Sequence, residues 1–296
     1  FGWPIDDGLF CDAFDRLNGS GVDVIGFDIY RDKGVGPDQQ CLRDRFQNEP
    51  TLVSIFNVAS GIGPVTVLEL PFLGVETLEQ EVAVSHAVYD HPAVKKEMEQ
   101  WNARIVMTSP MPQYNLVGTG EPRDELADFE GMRVRATGGL GAAFKAVGGT
   151  PTSVTATEAY QAMESGVVDT VAFAQHAHLS FGTINQADWW TANLNPGTVN
   201  CPVVVNIDAY EGLSDAHKEA FDSSIDEAID HYLANYGQLL AKWDQILAEK
   251  NVKKVMIADT VIEEFKAAAA VPARDAWISD MTAQGLPAQK LYDLVK

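Results

Sequence analysis

The sequence predicts an α/β protein of two lobes held together by one long helix, and three observations carry that expectation. Strand-like and helix-like segments alternate from residue 22 to residue 108 and again from 115 to 173, the pattern of sheets flanked by helices. The stretch FEGMRVRATGGLGAAFKAVGGTPTSVTATEAYQAMESGVVDTVAF, from Phe129 to Phe173, reads as one βαβ unit with Arg135 at a strand exit. Residues 214–250 keep helical character throughout, which at 1.5 Å per residue is about 55 Å. That exceeds the diameter of one lobe, so the segment reads as a strut laid across two.

Taken in order, residues 6–17 form a helix with Leu9, Phe10, Ala13, Phe14 and Leu17 on one face, ended by NGSG. Residues 22–30 alternate as a strand, 37–48 as a helix and 51–58 as a second strand. An apolar run from Val65 to Leu73 leads into PFLG, and helices follow at 78–89 and 92–101 before a strand at 104–108. The alternation implies largely parallel sheets. It restarts with strands at 115–118, 132–136 and 168–173, framing helices at 140–147 and 157–165, with Thr157 as N-cap and Gly166 as C-cap. CPVVVNI at 201–207 is a strongly apolar strand. Ser214 caps the long helix, in which Gly237 is a candidate bend, and two helices at 259–270 and 272–284 close the chain.

The chain has 296 residues, 42 acidic against 21 basic, and a net charge of −21. Such a surface repels nucleic acid and anionic membrane, since both require basic patches. It leaves room for an anionic ligand on a buried cation. No apolar run reaches the length of a membrane span. The opening FGWPIDDG reads as a processed N-terminus from which a signal peptide has gone. Cys11, Cys41 and Cys201 leave at least one thiol unpaired. Spacing permits a Cys11–Cys41 bridge without establishing it, and no metal-ligand spacing is present.

Arg135 is the leading candidate for ligand binding, because ligands in open α/β sheets sit beyond the carboxyl ends of strands and a guanidinium fork suits a carboxylate. Arg133, one pleat earlier, competes for the role. GGLGAAF at 138–144 imitates a dinucleotide fingerprint but puts Phe144 where the third small residue belongs, so its glycines read instead as letting a helix N-terminus approach an anion. His176 and His178 share a face if their segment is extended, with His176 lining a cleft rather than holding a metal. Trp190, Trp3 and Tyr114 are candidate aromatic walls. No nucleophile elbow or other catalytic signature is present, and no cofactor or metal is expected.

The residues FEGMRVRATGG…AVGGTPTSVTATEAYQAMESGVVDT resemble the core of the DctP-type substrate-binding proteins of tripartite ATP-independent periplasmic (TRAP) transporters. The pattern is carried by Gly131, Arg133, Val134 and Arg135, then Val147 to Gly149 and Pro151, then Glu158, Tyr160, Ala162 and Met163, then Gly166, Val168 and Asp169. LELPFLG at Leu68 to Gly74, and NPGTVNCPVVVNIDAYEGLSDAHKEAF after it, extend the likeness over most of the chain. The resemblance implies a two-lobed, type II-like periplasmic binding protein with crossover strands and a ligand cleft between lobes. Residues 1–112 with 200–236 would form one lobe and 113–199 with 237–296 the other.

It also implies a receptor, not an enzyme, that captures a small organic carboxylate in the periplasm and delivers it to the two membrane permease subunits. The alternative is the ligand-binding domain of a sensory system. The family's substrate-pairing arginine falls on Arg135, the position four after its aspartate on Phe173, and a cleft glutamine on Gln113. Gln175, His176, Asn57 and Asn200 complete the expected polar lining. Where cation-bridging members carry a Glu, this chain has Ala172, and Phe173 points toward a more apolar or aromatic carboxylate.

Overall fold

The computed structural model describes residues 63–296 and, before them, the backbone of two short strands. The strands are β1 (Asp28–Ile29), β2 (Val53–Ile55), β3 (Ala103–Thr108), β4 (Asn115–Gly118), β5 (Arg133–Arg135), β6 (Thr150–Thr152), β7 (Thr170–Phe173), β8 (Trp189–Thr191), β9 (Pro202–Asn206) and β10 (Lys253–Val255). The described α-helices are α1 (Leu78–Tyr89), α2 (Pro92–Glu99), α3 (Gly138–Ala146), α4 (Ala159–Glu164), α5 (Gln175–Ser180), α6 (Ile207–Glu211), α7 (Asp215–Glu249), α8 (Asp259–Ala283) and α9 (Ala288–Leu294).

Two sheets define two lobes, with strand orders β1-β2-β9-β3 and β10-β8-β4-β7-β5-β6. Neither is purely parallel. In the first, β9 runs antiparallel to both β2 and β3. In the second, β4 runs antiparallel to both β7 and β8. The departure from the expected parallel sheets has one cause. β4 and β9 are each reached from a strand of the other sheet with no α-helix between, so each runs against the βαβ direction of its neighbours, whereas β10, reached through α7, runs parallel to β8. β9 is buried on both faces, which is why CPVVVNI reads as continuously apolar. Val204 joins a core with Val94, Trp101 and Ala103, while Val203 and Val205 face Phe221, Ala228 and Ile229 of α7.

α7 is the strut that its length implied. Ser214 caps it, accepting from the His217 N–H at 3.3 Å. Its first turns pack on the four-stranded lobe, Tyr232 and Tyr236 meet Leu78 near mid-length, and Trp243 and Leu247 enter the core of the six-stranded lobe. Gly237, the candidate bend, lies inside one uninterrupted helix.

The two closing helices are a single helix, α8, with Pro272 inside it. Proline there removes one hydrogen bond, but Pro272 is exposed, so water can satisfy the freed carbonyl. Packing pins both sides of it: Val261, Phe265 and Ala269 sit in the six-stranded lobe's core and Trp277 in the other's. Ala288, Leu291 and Val295 of the C-terminal segment also pack with Val65 and Trp101. The chain beyond Pro272 therefore packs with the four-stranded lobe, where the sequence division had assigned all of 237–296 to its partner.

Local differences have local causes. α4 starts later than expected because Thr155, not Thr157, makes a capping box with Glu158 around a short 3-10 turn. Gly166 does end the unit, at φ +68. The expected helices at 6–17 and 37–48, most of the two early strands, and Cys11 and Cys41 lie outside the described residues. Cys201 is buried, in the core of the six-stranded lobe.

Candidate functional site

Arg135 ends β5, whose neighbours β6 and β7 run parallel to it, so its side chain leaves the sheet at the carboxyl ends of three strands. It is 8% exposed. Its Nε donates to the Val154 carbonyl at 3.1 Å, and its guanidinium carbon lies 4.4 Å above the ring of Phe173. Burial holds its pKa below the usual arginine range. Among the described residues no carboxylate lies within ion-pair distance of it. A buried guanidinium with part of its donor fork uncommitted is poised to take an anion.

Arg133 is excluded from that role by its own partners. It pairs with Asp169 through both its backbone N–H and its side chain, and also donates to the Gly166 carbonyl. The hydrogen bond from Arg133 holds the Asp169 carboxyl below its usual range. This pair fastens β5 to the β7 entrance and so fixes where Arg135 emerges.

Of the expected residues, Phe173 and Tyr114 gather around Arg135, and Gln175 and Gln113 follow and precede them in the chain. Phe173 ends β7 and packs edge-on against Tyr114, with ring centroids 6.3 Å apart. His178 and Phe181 close its other sides at 5.6 and 5.5 Å. Gln175 opens α5 two residues beyond Phe173. Gln113 precedes Tyr114 on the crossover and lines a small cavity at the seam with Leu68, Glu81, Ser85 and Thr198.

Other candidates are placed elsewhere. The segment holding His176 and His178 is helical, not extended, so residues two apart diverge. His176 Nδ1 meets the Tyr236 hydroxyl of α7 at 2.6 Å, and His178 bridges Thr183 and the Asn115 carbonyl. Burial pushes both imidazoles down to about 3, so both are neutral fasteners. Trp190 packs against Trp243 in the core. Asn200 is buried with its side chain fully engaged, accepting from the Tyr89 hydroxyl at 2.5 Å and donating to Glu81 and Ser85. Trp3 and Asn57 lie outside the described residues.

Two residues escaped the sequence reading. Glu69 is 4% exposed and sits at the seam against the N-terminus of α3. A Cβ on Gly138 would stand 3.0 Å from Glu69 Oε2, and one on Gly139 only 2.0 Å from the Glu69 carbonyl oxygen. The Glu69 carboxylate, from the opposite lobe, thus lies close to this glycine-rich helix start and also accepts from the Asn200 N–H. Glu81, 5% exposed, accepts from Ser85, Thr108 and Asn200, and burial raises its pKa to about 7. The available signal was a lone acid inside an apolar run, VLELPF, and an acid on the apolar face of α1. Among the described residues no cluster of potential metal ligands occurs and no helix is long and apolar enough to cross a membrane.

The DctP family model, bacterial extracellular solute-binding protein, family 7, matches residues 52–280. No curated protein sequence matches the chain. Among solved structures, the chain is similar to an extracytoplasmic solute receptor of Bordetella pertussis binding pyroglutamic acid. That likeness has 17% identity over 97% of this chain and 94% of that one, at a TM-score of 0.80. A TRAP solute-binding protein from a marine metagenome, specific for aromatic acids and holding metahydroxyphenylacetate, gives 17% identity, 98% and 92% coverage, and 0.80. A TRAP periplasmic protein of Roseobacter denitrificans with bound β-D-glucuronate gives 20% identity, 98% and 95% coverage, and 0.77. These likenesses establish the two-lobed binding-protein fold.

Proposed function

The chain belongs to bacterial extracellular solute-binding protein family 7, and on that premise we propose that it is a periplasmic receptor for a small organic carboxylate, which it hands to the membrane subunits of a TRAP transporter. One observation carries the ligand class: Arg135, buried at the strand exits, has no acid partner among the described residues. The acids bound by similar structures, among them pyroglutamate, glucuronate and metahydroxyphenylacetate, support the same class.

Arg135 pairs with the carboxylate, and Phe173 and Tyr114 exclude water and hold the guanidinium flat. Gln113 and Gln175 address the remainder of the ligand. Ligand closes the lobes because it is bound more tightly by the closed form, where both lobes reach it. The test is thermal-shift screening against small carboxylates, followed by calorimetry. A carboxylate that raises the melting temperature in the wild type but not in Arg135→Met supports the receptor reading. Stabilisation only by neutral or cationic compounds overturns it.

A further inference from the structure

Glu81 is a carboxyl buried at the seam with no cation to balance it. It projects from α1 and is 5% exposed. Its Oε1 accepts from Ser85 at 2.9 Å, from Thr108 of β3 at 3.1 Å and from Asn200, just before β9, at 3.2 Å. Its Oε2 has only the same Thr108 hydroxyl, at 3.4 Å. The other titratable groups of this knot are Tyr89, which donates to Asn200, His86, whose ring lies 6.2 Å from that of Tyr89, and Glu69, which accepts from the Asn200 N–H. Tyr232 of α7 and Cys201 also feel the Glu81 charge. Burial pushes Tyr89, Tyr232 and Cys201 upward, so all three stay neutral. Among the described residues no cation acts on Glu81.

Glu81 also lines a cavity of about 10 Å³, room for about one water. Across it stand Gln113, Gly197 and Thr198, and Gly197 lies against Leu140 of α3 in the six-stranded lobe. Moving α1 away from α3 therefore widens this cavity and brings water to the carboxyl. Water favours the ionised form and the closed, cation-free seam favours the protonated one.

We infer that closure on a carboxylate ligand draws a proton from solvent onto Glu81, so that ligand and proton are taken up together. This rests on the receptor reading above and adds its regulation. The protonated form is held in the closed seam, so affinity is highest in acid and is lost as pH rises through about 7.

The test is calorimetry on the full chain with small carboxylates, beginning with pyroglutamate, glucuronate and metahydroxyphenylacetate. Titration at pH 6.5 in buffers of different ionisation enthalpy counts the protons taken up per ligand bound. The expected result is roughly half a proton or more, with a Kd that rises about tenfold between pH 5.5 and pH 8. Glu81→Gln keeps the side-chain size and should bind without proton uptake, its Kd constant within about threefold over that range. Uptake that survives in Glu81→Gln puts the proton on another group and overturns the inference. So does binding without uptake in the wild type, a result that does not depend on how the variant folds. Binding without uptake that still collapses in Arg135→Met removes only the proton. No binding by any carboxylate at either pH removes the receptor reading with it.

Discussion

Replacing Arg135 with methionine should separate ligand affinity from protein stability. Removing one partner of a buried charge pair costs about 3–5 kcal/mol, which is roughly a 100- to 5,000-fold rise in Kd. In the unliganded protein the balance differs. The variant loses one hydrogen bond to Val154, worth about 1 kcal/mol, and the contact with Phe173, worth about 0.5–2 kcal/mol. Against this it no longer buries a cation without an acid partner, a burden of several kcal/mol. Methionine keeps much of the side-chain volume over the ring. Unliganded Arg135→Met should therefore melt at or above the wild-type temperature while carboxylate affinity falls by two orders of magnitude or more. Calorimetry on the best carboxylate and chemical denaturation without it read the two effects separately. An affinity loss below about threefold, or a large loss of stability with affinity intact, would refute Arg135 as the anchor and make it a structural residue.

Three further outcomes follow from the seam. Glu81 has a folded pKa near 7 against the usual 4.5, so the folded state favours the protonated form. As pH rises from about 4.5 the unfolded chain gives up its proton first, and stability is lost until about pH 7, by roughly 3 kcal/mol in all. Denaturation of wild type and Glu81→Gln at pH 5 and pH 8 should show the variant gaining on the wild type at the higher pH; parallel curves would contradict the shift. Gly139→Ala places a Cβ 2.0 Å from the backbone oxygen of Glu69, a clash that only separation of the lobes relieves. It should weaken ligand about tenfold or more, read by calorimetry, and an unchanged Kd would mean the seam opens freely there. Tyr236→Phe removes the hydroxyl facing His176 Nδ1 and should cost about 1–3 kcal/mol in urea denaturation; no change would mean that contact is idle.

What could be read without coordinates followed periodicity and punctuation. α1 falls at 78–89 as its apolar spacing and Pro92 dictate, and the long helix keeps its expected limits within one residue. The strand exit at Arg135 was legible because a glycine turn and a helix follow within seven residues. Other features depended on contacts between distant residues. Pro272 signals a break, yet Phe265 and Trp277, buried in different cores, hold one helix through it. Trp189–Thr191 is three residues long, too short to show an alternation, and becomes a strand by pairing with β4 and β10. Asn200 and His176 have the chemistry of ligand residues, and only the positions of Tyr89, Glu81 and Tyr236 show that the protein itself satisfies them.

The insertion of β9 between β2 and β3 also orders events in time. The four-stranded sheet cannot be completed until residues 202–206 are available, and its core awaits Trp277 and Leu291 near the far end of the chain. Contacts of such sequence separation make folding slow, because long loops must close before they are rewarded. A nascent chain lacking its last 25 residues has no finished first lobe to lock it. Completion of the first lobe therefore waits until nearly the whole chain has been made.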